Sequence, residues 1–240
     1  TLNNKEYGWD VEIIPNRSQD LLREIDLIEE IARLVGYDMF DLNLPNPIKP
    51  GKLSSSQIAL RKLKTGLIDI GFNEVLSYSL VSDNNNELIK ISNPLLLETS
   101  CLRGNIWQEH IKICNQNIKS GQECCWIFEV GNIFHKKPDF SQEEILSGAI
   151  YGKNKFEKWI SSNNDNNMDY YEARGRLKEA LTILNLKIED KPTDSIDFLH
   201  PGRTAILHTE GKEVGYFGEI HPKLISDKKV LKKLYLFSLK

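Results

Sequence analysis

The chain has 240 residues, 40% hydrophobic and 27% charged, the balance of an ordinary globular protein with enough length to bury a sizeable core. Lys and Arg number 31 against 34 Asp and Glu, a formal net charge of −3, so strong autonomous binding to the phosphates of RNA or DNA is not expected. No apolar run approaches the roughly eighteen residues that a membrane-spanning helix needs, which sets a membrane partner aside.

The opening TLNNKEYGWD has neither an initiator Met nor a charged-then-apolar signal pattern and reads as part of a longer polypeptide. WDVEIIP, residues 9–15, predicts a strand stopped by Pro15. A helix follows over about Leu22 to Val35, where Leu21, Ile25, Ile28, Ala32 and Val35 recur at three- and four-residue spacing and Gly36 closes the run. That apolar stripe is expected to build the core of a small N-terminal unit, residues 1–42. Residues 43–56, rich in Pro and Ser, read as a linker, and 57–240 as the main domain.

SQIALRKLKTGLIDIGF is helical, with Ile58, Leu63, Leu67 and Ile70 on one stripe and Gly71 ending it. EVLSYSLV and IKIS predict strands around the turn SDNNNE. A helix in LRGNIWQEHIKICNQNIKSG precedes the strands CCWIFEVGNIF and EILSGAIYG. The tract SSNNDNNMD reads as an exposed loop, YYEARGRLKEALTILNL as an amphipathic helix, RTAILHTEGKEVGYFGEI as a hairpin turning near Glu210-Gly211, and LYLFSLK as a last strand. Strand runs and hairpins mixed with helices imply an α+β fold, an antiparallel sheet with helices packed on it. Cys101, Cys114, Cys124 and Cys125 form neither a C-x-x-C pair nor a zinc spacing, which points to reduced thiols in a cytoplasmic protein.

The densest charge pattern is RSQDLLREIDLIEEIARLVGYD, residues 17–38. At about 100° per residue, Asp26, Glu29 and Glu30 share one helix face that Arg33 continues. Glu29 with Arg33 forms a favourable pair, while Asp26 with Glu30 is a like-charge one. Asp20 must come from the preceding turn, where its carboxylate suits the first-turn N–H groups. From spacing alone two readings stand: a solvated face with helix-terminal charges, or a set of oxygen ligands for Mg²⁺ or Ca²⁺.

Other chemistry is poorly advertised. There is no G-x-x-x-x-G-K-[ST], G-x-G-x-x-G, H-E-x-x-H or G-x-S-x-G pattern. His200 and His221 each precede a proline and read as turn histidines with a structural hydrogen bond. Glu129, among apolar residues on a central strand, needs a partner and is read as a site residue or half of a buried pair. Lys223, Lys228, Lys229, Lys232 and Lys233 read as a solvated face.

The pattern P-x-R…D-L-I-E-E-I-A-R-x-x-G-Y-D within IIPNRSQDLLREIDLIEEIARLVGYD resembles the end of the B5 domain in β subunits of bacterial phenylalanine–tRNA ligase. The resemblance runs on through LIDIGFNEVLSYSLV, NPLLLETSCLRGNIWQ, FEVGNIF, FLHPGRTAIL and VGYFGEIHPKL, nearly the whole chain. RSQDLL departs from many relatives by one extra residue between Arg17 and Asp20. The resemblance implies a class II aminoacyl-tRNA synthetase-like core that has lost catalysis. Where an active class II relative carries an Arg and an acidic residue after FEVGNIF, this chain has His135-Lys136-Lys137, and the glycine-rich segment with the ATP-binding Arg does not appear. Without guanidinium groups on the triphosphate, attack at the α-phosphate lacks its electrostatic stabilisation.

By the same resemblance Asp20, Asp26, Glu29 and Glu30 are Mg²⁺ ligands at a site shared with the α subunit. The implied holoenzyme, a heterotetramer of two α and two β subunits, attaches phenylalanine to tRNA(Phe) using ATP, and this chain has no catalytic residue of its own. The competing reading is a free-standing Mg²⁺-dependent phosphoryl or nucleotidyl transferase, against which the lack of a phosphate-binding loop speaks.

Overall fold

The computed structural model describes residues 2–46, 49–82, 88–136, 139–155, 167–225 and 233–240. Lys228, Lys229 and Lys232 of the lysine cluster, most of the SDNNNE turn and most of the SSNNDNNMD tract lie outside the described residues. Two compact units emerge, Thr1–Lys52 and Leu53–Lys240.

The first unit opens on an antiparallel hairpin of β1 (Leu2–Lys5) and β2 (Gly8–Val11), in which Lys5 opposes Gly8. Gly8 takes φ +124°, a backbone that a side chain would strain. The strand predicted over residues 9–15 thus ends at Val11, because Pro15 opens a short 3₁₀ turn, Pro15–Arg17, instead of continuing extended. α1 (Glu24–Val35) follows and stops at Gly36, φ +94°. Its apolar stripe does not form a core: Ile25, Ile28 and Val35 stay about half exposed, and no residue of α1 is buried. One hairpin and one helix offer too little surface to cover that stripe.

The second unit starts with α2 (Ser55–Asp69), capped by Ser54, whose hydroxyl accepts from Gln57 N–H at 3.2 Å while the Gln57 side chain accepts from Ser54 N–H at 2.8 Å. Short strands β3 (Asn73–Glu74), β4 (Leu80–Val81), β5 (Ile89–Lys90) and β6 (Cys101–Leu102) come next, then α3 (Trp107–Lys119). The long hairpin β7 (Cys124–His135) and β8 (Ser141–Gly152) pairs over twelve residues on each strand. α4 (Tyr170–Thr182) follows, with Asp169 as cap, then β9 (Glu189–Pro192), β10 (Leu199–Thr209), β11 (Lys212–Ile220) and β12 (Tyr235–Leu239). Thr209 opposes Lys212 across a two-residue turn in which Glu210 and Gly211 both have positive φ, the backbone such a hairpin demands. The predicted turn position is therefore the observed one.

Seven of the described strands form one sheet in the order β3-β7-β8-β12-β11-β10-β9, antiparallel except where β3 meets β7. A separate small sheet holds β4-β6-β5. Alternation along the strands assigns the faces. Trp126, Phe128, Ile150, Tyr235 and Phe237 pack with Leu67 of α2 and Leu177 of α4. Their sequence neighbours Cys125, Ile127, Ala149 and Leu236 pack with Trp107 and Cys114 of α3 on the other face. The sheet is thus filled from both sides, with α2 and α4 opposite α3. The α+β class expected from the sequence is the observed one. β1 and β9 were not anticipated, because LNNK and EDKP lack the alternating apolar residues of a half-buried strand.

Candidate functional site

Asp20, Asp26, Glu29 and Glu30 all lie in the first unit, on α1 and the turn before it, and each has its own place. Asp26, at the third position of α1, turns back on the helix start: its Oδ2 accepts from Arg23 N–H at 2.7 Å and Leu22 N–H at 3.0 Å. Those two N–H groups, helped by the Arg23 side chain, hold the Asp26 carboxyl below the usual carboxylate range. Asp20 does not cap the helix. Its carboxylate accepts from Arg17 Nε at 2.8 Å, because Asp26 already satisfies the donors it was expected to meet. The same Arg17 reaches Glu30 Oε1 through Nη2 at 2.7 Å, and Arg33 binds the other oxygen of Glu30. Arg33 therefore pairs with Glu30 rather than with Glu29, which stays exposed. Arg17 first and Arg33 second lower the Glu30 carboxyl, while Glu30 and Asp20 raise the Arg17 guanidinium above its ordinary value.

Arg17 thus gathers Asp20 and Glu30, while Asp26 faces the helix start and Glu29 faces solvent. The donors are hard carboxylate oxygens, the right chemistry for Mg²⁺. Among the described residues no three acidic, histidine or cysteine side chains converge on one point, and Arg17 and Arg33 engage Asp20 and Glu30, so this chain alone does not present a complete ligand set.

In the second unit the charged feature is buried. Glu129 of β7, 2% exposed, pairs with Arg103 Nη1 at 2.8 Å, and its other oxygen accepts from the Ser77 hydroxyl at 2.6 Å and Ser77 N–H at 3.2 Å. Arg103, also 2% exposed, donates Nε to the Asn132 carbonyl at 2.8 Å and Nη1 to the Ser77 hydroxyl at 2.8 Å. Of the two readings open for Glu129, the buried pair is the observed one, with every strong contact internal. Arg103 and Ser77 escaped sequence reasoning. The available signal was the demand of a carboxylate on an apolar strand for a cation, and Arg103 stands in the equally apolar SCLRGNIW.

His200 and His221 are turn residues: Nδ1 of each accepts a backbone N–H two residues on, from Gly202 at 3.0 Å and Lys223 at 3.1 Å. His135 lies at the end of β7 beside Glu143 of β8, Nε2 to Oε2 3.4 Å, an arrangement with no resemblance to a triphosphate clamp. His110 of α3 is fully buried, next to Arg103 and the Ser147 backbone. Burial, with a smaller push from Arg103, lowers its pKa to about 4, so the ring is neutral near pH 7.

The family model described as the phenylalanyl tRNA synthetase beta chain CLM domain matches residues 44–240, and that of the tRNA synthetase B5 domain matches residues 1–37. The chain belongs to the phenylalanyl-tRNA synthetase β-chain family. It is 85% identical over 240 residues to a phenylalanine–tRNA ligase beta subunit of Prochlorococcus marinus subsp. pastoris and 72% identical over 239 residues to that of Prochlorococcus marinus strain MIT 9312. Both matches cover all of this chain and 29% of the relative, so the chain spans under a third of the length of these proteins. Among solved structures, the pyrrolysyl tRNA synthetase PylSc of Desulfitobacterium hafniense superposes with a TM-score of 0.57 at 12% identity, covering 77% of this chain and 64% of that one. That likeness is one of fold, the class II synthetase fold.

Proposed function

We propose that this β-chain module is a non-catalytic scaffold of phenylalanine–tRNA ligase, supporting an α subunit that carries the chemistry. In the holoenzyme, two α and two β subunits, phenylalanine is joined to tRNA(Phe) at the expense of ATP in the cytoplasm. The observation that carries the non-catalytic half is the fate of Glu129. The acidic residue of the long central strand is closed off from solvent by Arg103 and Ser77, so it can neither act as a base nor hold an amino acid or a metal. α3 packs on the sheet face opposite α2 and α4 through Trp107 and Cys114, which join Cys125, Ile127, Ala149 and Leu236 in one buried cluster. No helix among the described residues is long and apolar enough to cross a membrane.

Asp20, Asp26, Glu29 and Glu30 enter the same reading as this chain's contribution to a Mg²⁺ ion shared with α, on the strength of the resemblance and of their hard oxygen donors. Glu30 and Asp20 would first have to leave Arg17, and Asp26 is occupied at the helix start, so Glu29 is the carboxylate most free to bind. Two measurements test the whole reading. The protein without α should give no phenylalanine-dependent ATP–pyrophosphate exchange; measurable exchange would sink the non-catalytic assignment. Co-purification with α should weaken in EDTA and in Glu29→Gln/Glu30→Gln, and association indifferent to both would return the acidic face to a solvated role.

A further inference from the structure

A groove of ≈ 490 Å³ lies between α4 and the strands β9 and β10, away from the Arg103–Glu129 pair. Tyr170, Tyr171 and Arg174 of α4 line it together with Asp190 of β9 and Arg203 and Thr204 of β10. It opens past the last β9–β10 pair, Pro192 with Ala205, beside the register shift of β10 against β11 between Leu199 and Thr204. A regular continuation of β9 along β10 would have covered this edge.

Two guanidinium groups contribute to it, and neither is fully spent. Arg174 is 7% exposed; its Nε and Nη2 donate to the Asp190 carboxylate at 2.8 and 2.6 Å, and its Cζ lies 5.9 Å from the centre of the Phe217 ring. Nη1 is buried and has no hydrogen-bond partner among the described residues. A buried cationic donor without an acceptor has lost its water for nothing in return, the signature of a site completed by something else. Arg203 is half exposed and donates Nη1 to Glu219 at 2.7 Å, which anchors the side chain and leaves its other donors available. The Tyr171 ring, packed edge-on against Tyr170 with centroids 5.5 Å apart, is otherwise exposed and offers a flat apolar face.

We propose that this groove binds a phosphate monoester with a flat organic body, the phosphate between Arg174 and Arg203 and the body against Tyr171. A carboxylate is satisfied by one guanidinium fork, as Asp190 already is. Donors from two arginines on different elements suit the three terminal oxygens and double charge of a phosphate monoester. Asp190 and Glu219 hold the two guanidinium planes in place before the ligand arrives, which lowers the ordering cost of binding.

The test titrates the full-length protein with uridine 5′-monophosphate, uridine and inorganic phosphate by calorimetry. Uridine 5′-monophosphate should bind saturably, uridine not at all, and inorganic phosphate about tenfold more weakly. Arg203→Gln should cost the nucleotide about tenfold in affinity, the loss of one charge-assisted hydrogen bond. Tyr171→Ala should weaken the nucleotide but not inorganic phosphate, with thermal midpoints of both variants unchanged. No saturable binding of the nucleotide, equal binding of uridine, or an affinity that neither substitution moves would each overturn the proposal.

Discussion

Arginine–carboxylate clusters occur in both units, and they differ in one variable. Arg17, in the turn before α1, holds Asp20 of that turn and Glu30 of the helix within reach of water, whereas Arg103 holds Glu129 with both side chains removed from solvent. Water can replace either partner of the first cluster, and salt screens it. Neither replacement is open to the second, where each lost partner leaves an uncompensated charge inside the protein. The exposed cluster can therefore lose a partner at little cost, whereas the buried one is committed to holding Ser77, Arg103 and β7 together. A difference in burial alone separates a surface that could serve binding from one that serves architecture.

The sharpest attempt to break this contrast is Glu129→Ala, which should destabilise the second unit by about 3–5 kcal/mol, read as a lowered urea midpoint. A loss no larger than that of a surface substitution would put Glu129 back among candidate site residues. Acid should act next most strongly, through His110. Its pKa is about 4 in the folded protein and 6.5 when solvated, so the unfolded chain takes up the proton first. Stability from this neutral ring is complete above pH 6.5 and drains away between pH 6.5 and 4, by about 3 kcal/mol at about 1.4 kcal/mol per pH unit. Denaturation of His110→Leu across that range should lack this slope. Arg103 lies close by, so the same protonation also loads a second positive charge beside the buried pair.

Gly131→Ala should follow, at about 1–3 kcal/mol, since a Cβ there would stand 2.9 Å from Glu129 Oε1 and closer still to Arg103 Nη2. Smallest is Glu30→Gln, for which the urea midpoint should stay put at high and low salt alike; a clear drop would show the exposed cluster to be structural after all.

The sequence was legible where one segment's own periodicity decides its state. α2, α3, α4, the β7–β8 strands and the β10–β11 turn all announce themselves locally, through apolar spacing or through Glu210-Gly211. Polar edge strands such as β9 do not, because they bury little and owe their extension to the neighbour they pair with. The acidic helix shows the same limit at the level of single side chains. Spacing placed Asp26, Glu29 and Glu30 on one face, yet Asp26 took the capping role expected of Asp20, and Arg17, thirteen residues from Glu30, became the hub. Partners distant in sequence, like Arg103 and Glu129, are set by packing and leave only a one-sided trace, a charge where no charge should be.

The strand order carries a consequence for synthesis. β12, the last of the described strands, does not join an edge but enters between β8 and β11, pairing with both. Until residues 235–239 leave the ribosome, the β7–β8 and β10–β11 hairpins have no ladder to connect them, and each shows an open flank. A nascent chain stalled before Tyr235 therefore holds two unjoined hairpins whose backbone flanks on β8 and β11 are open to another strand. The wedge that joins the two hairpins is also their clock, since this sheet cannot close before translation has passed it.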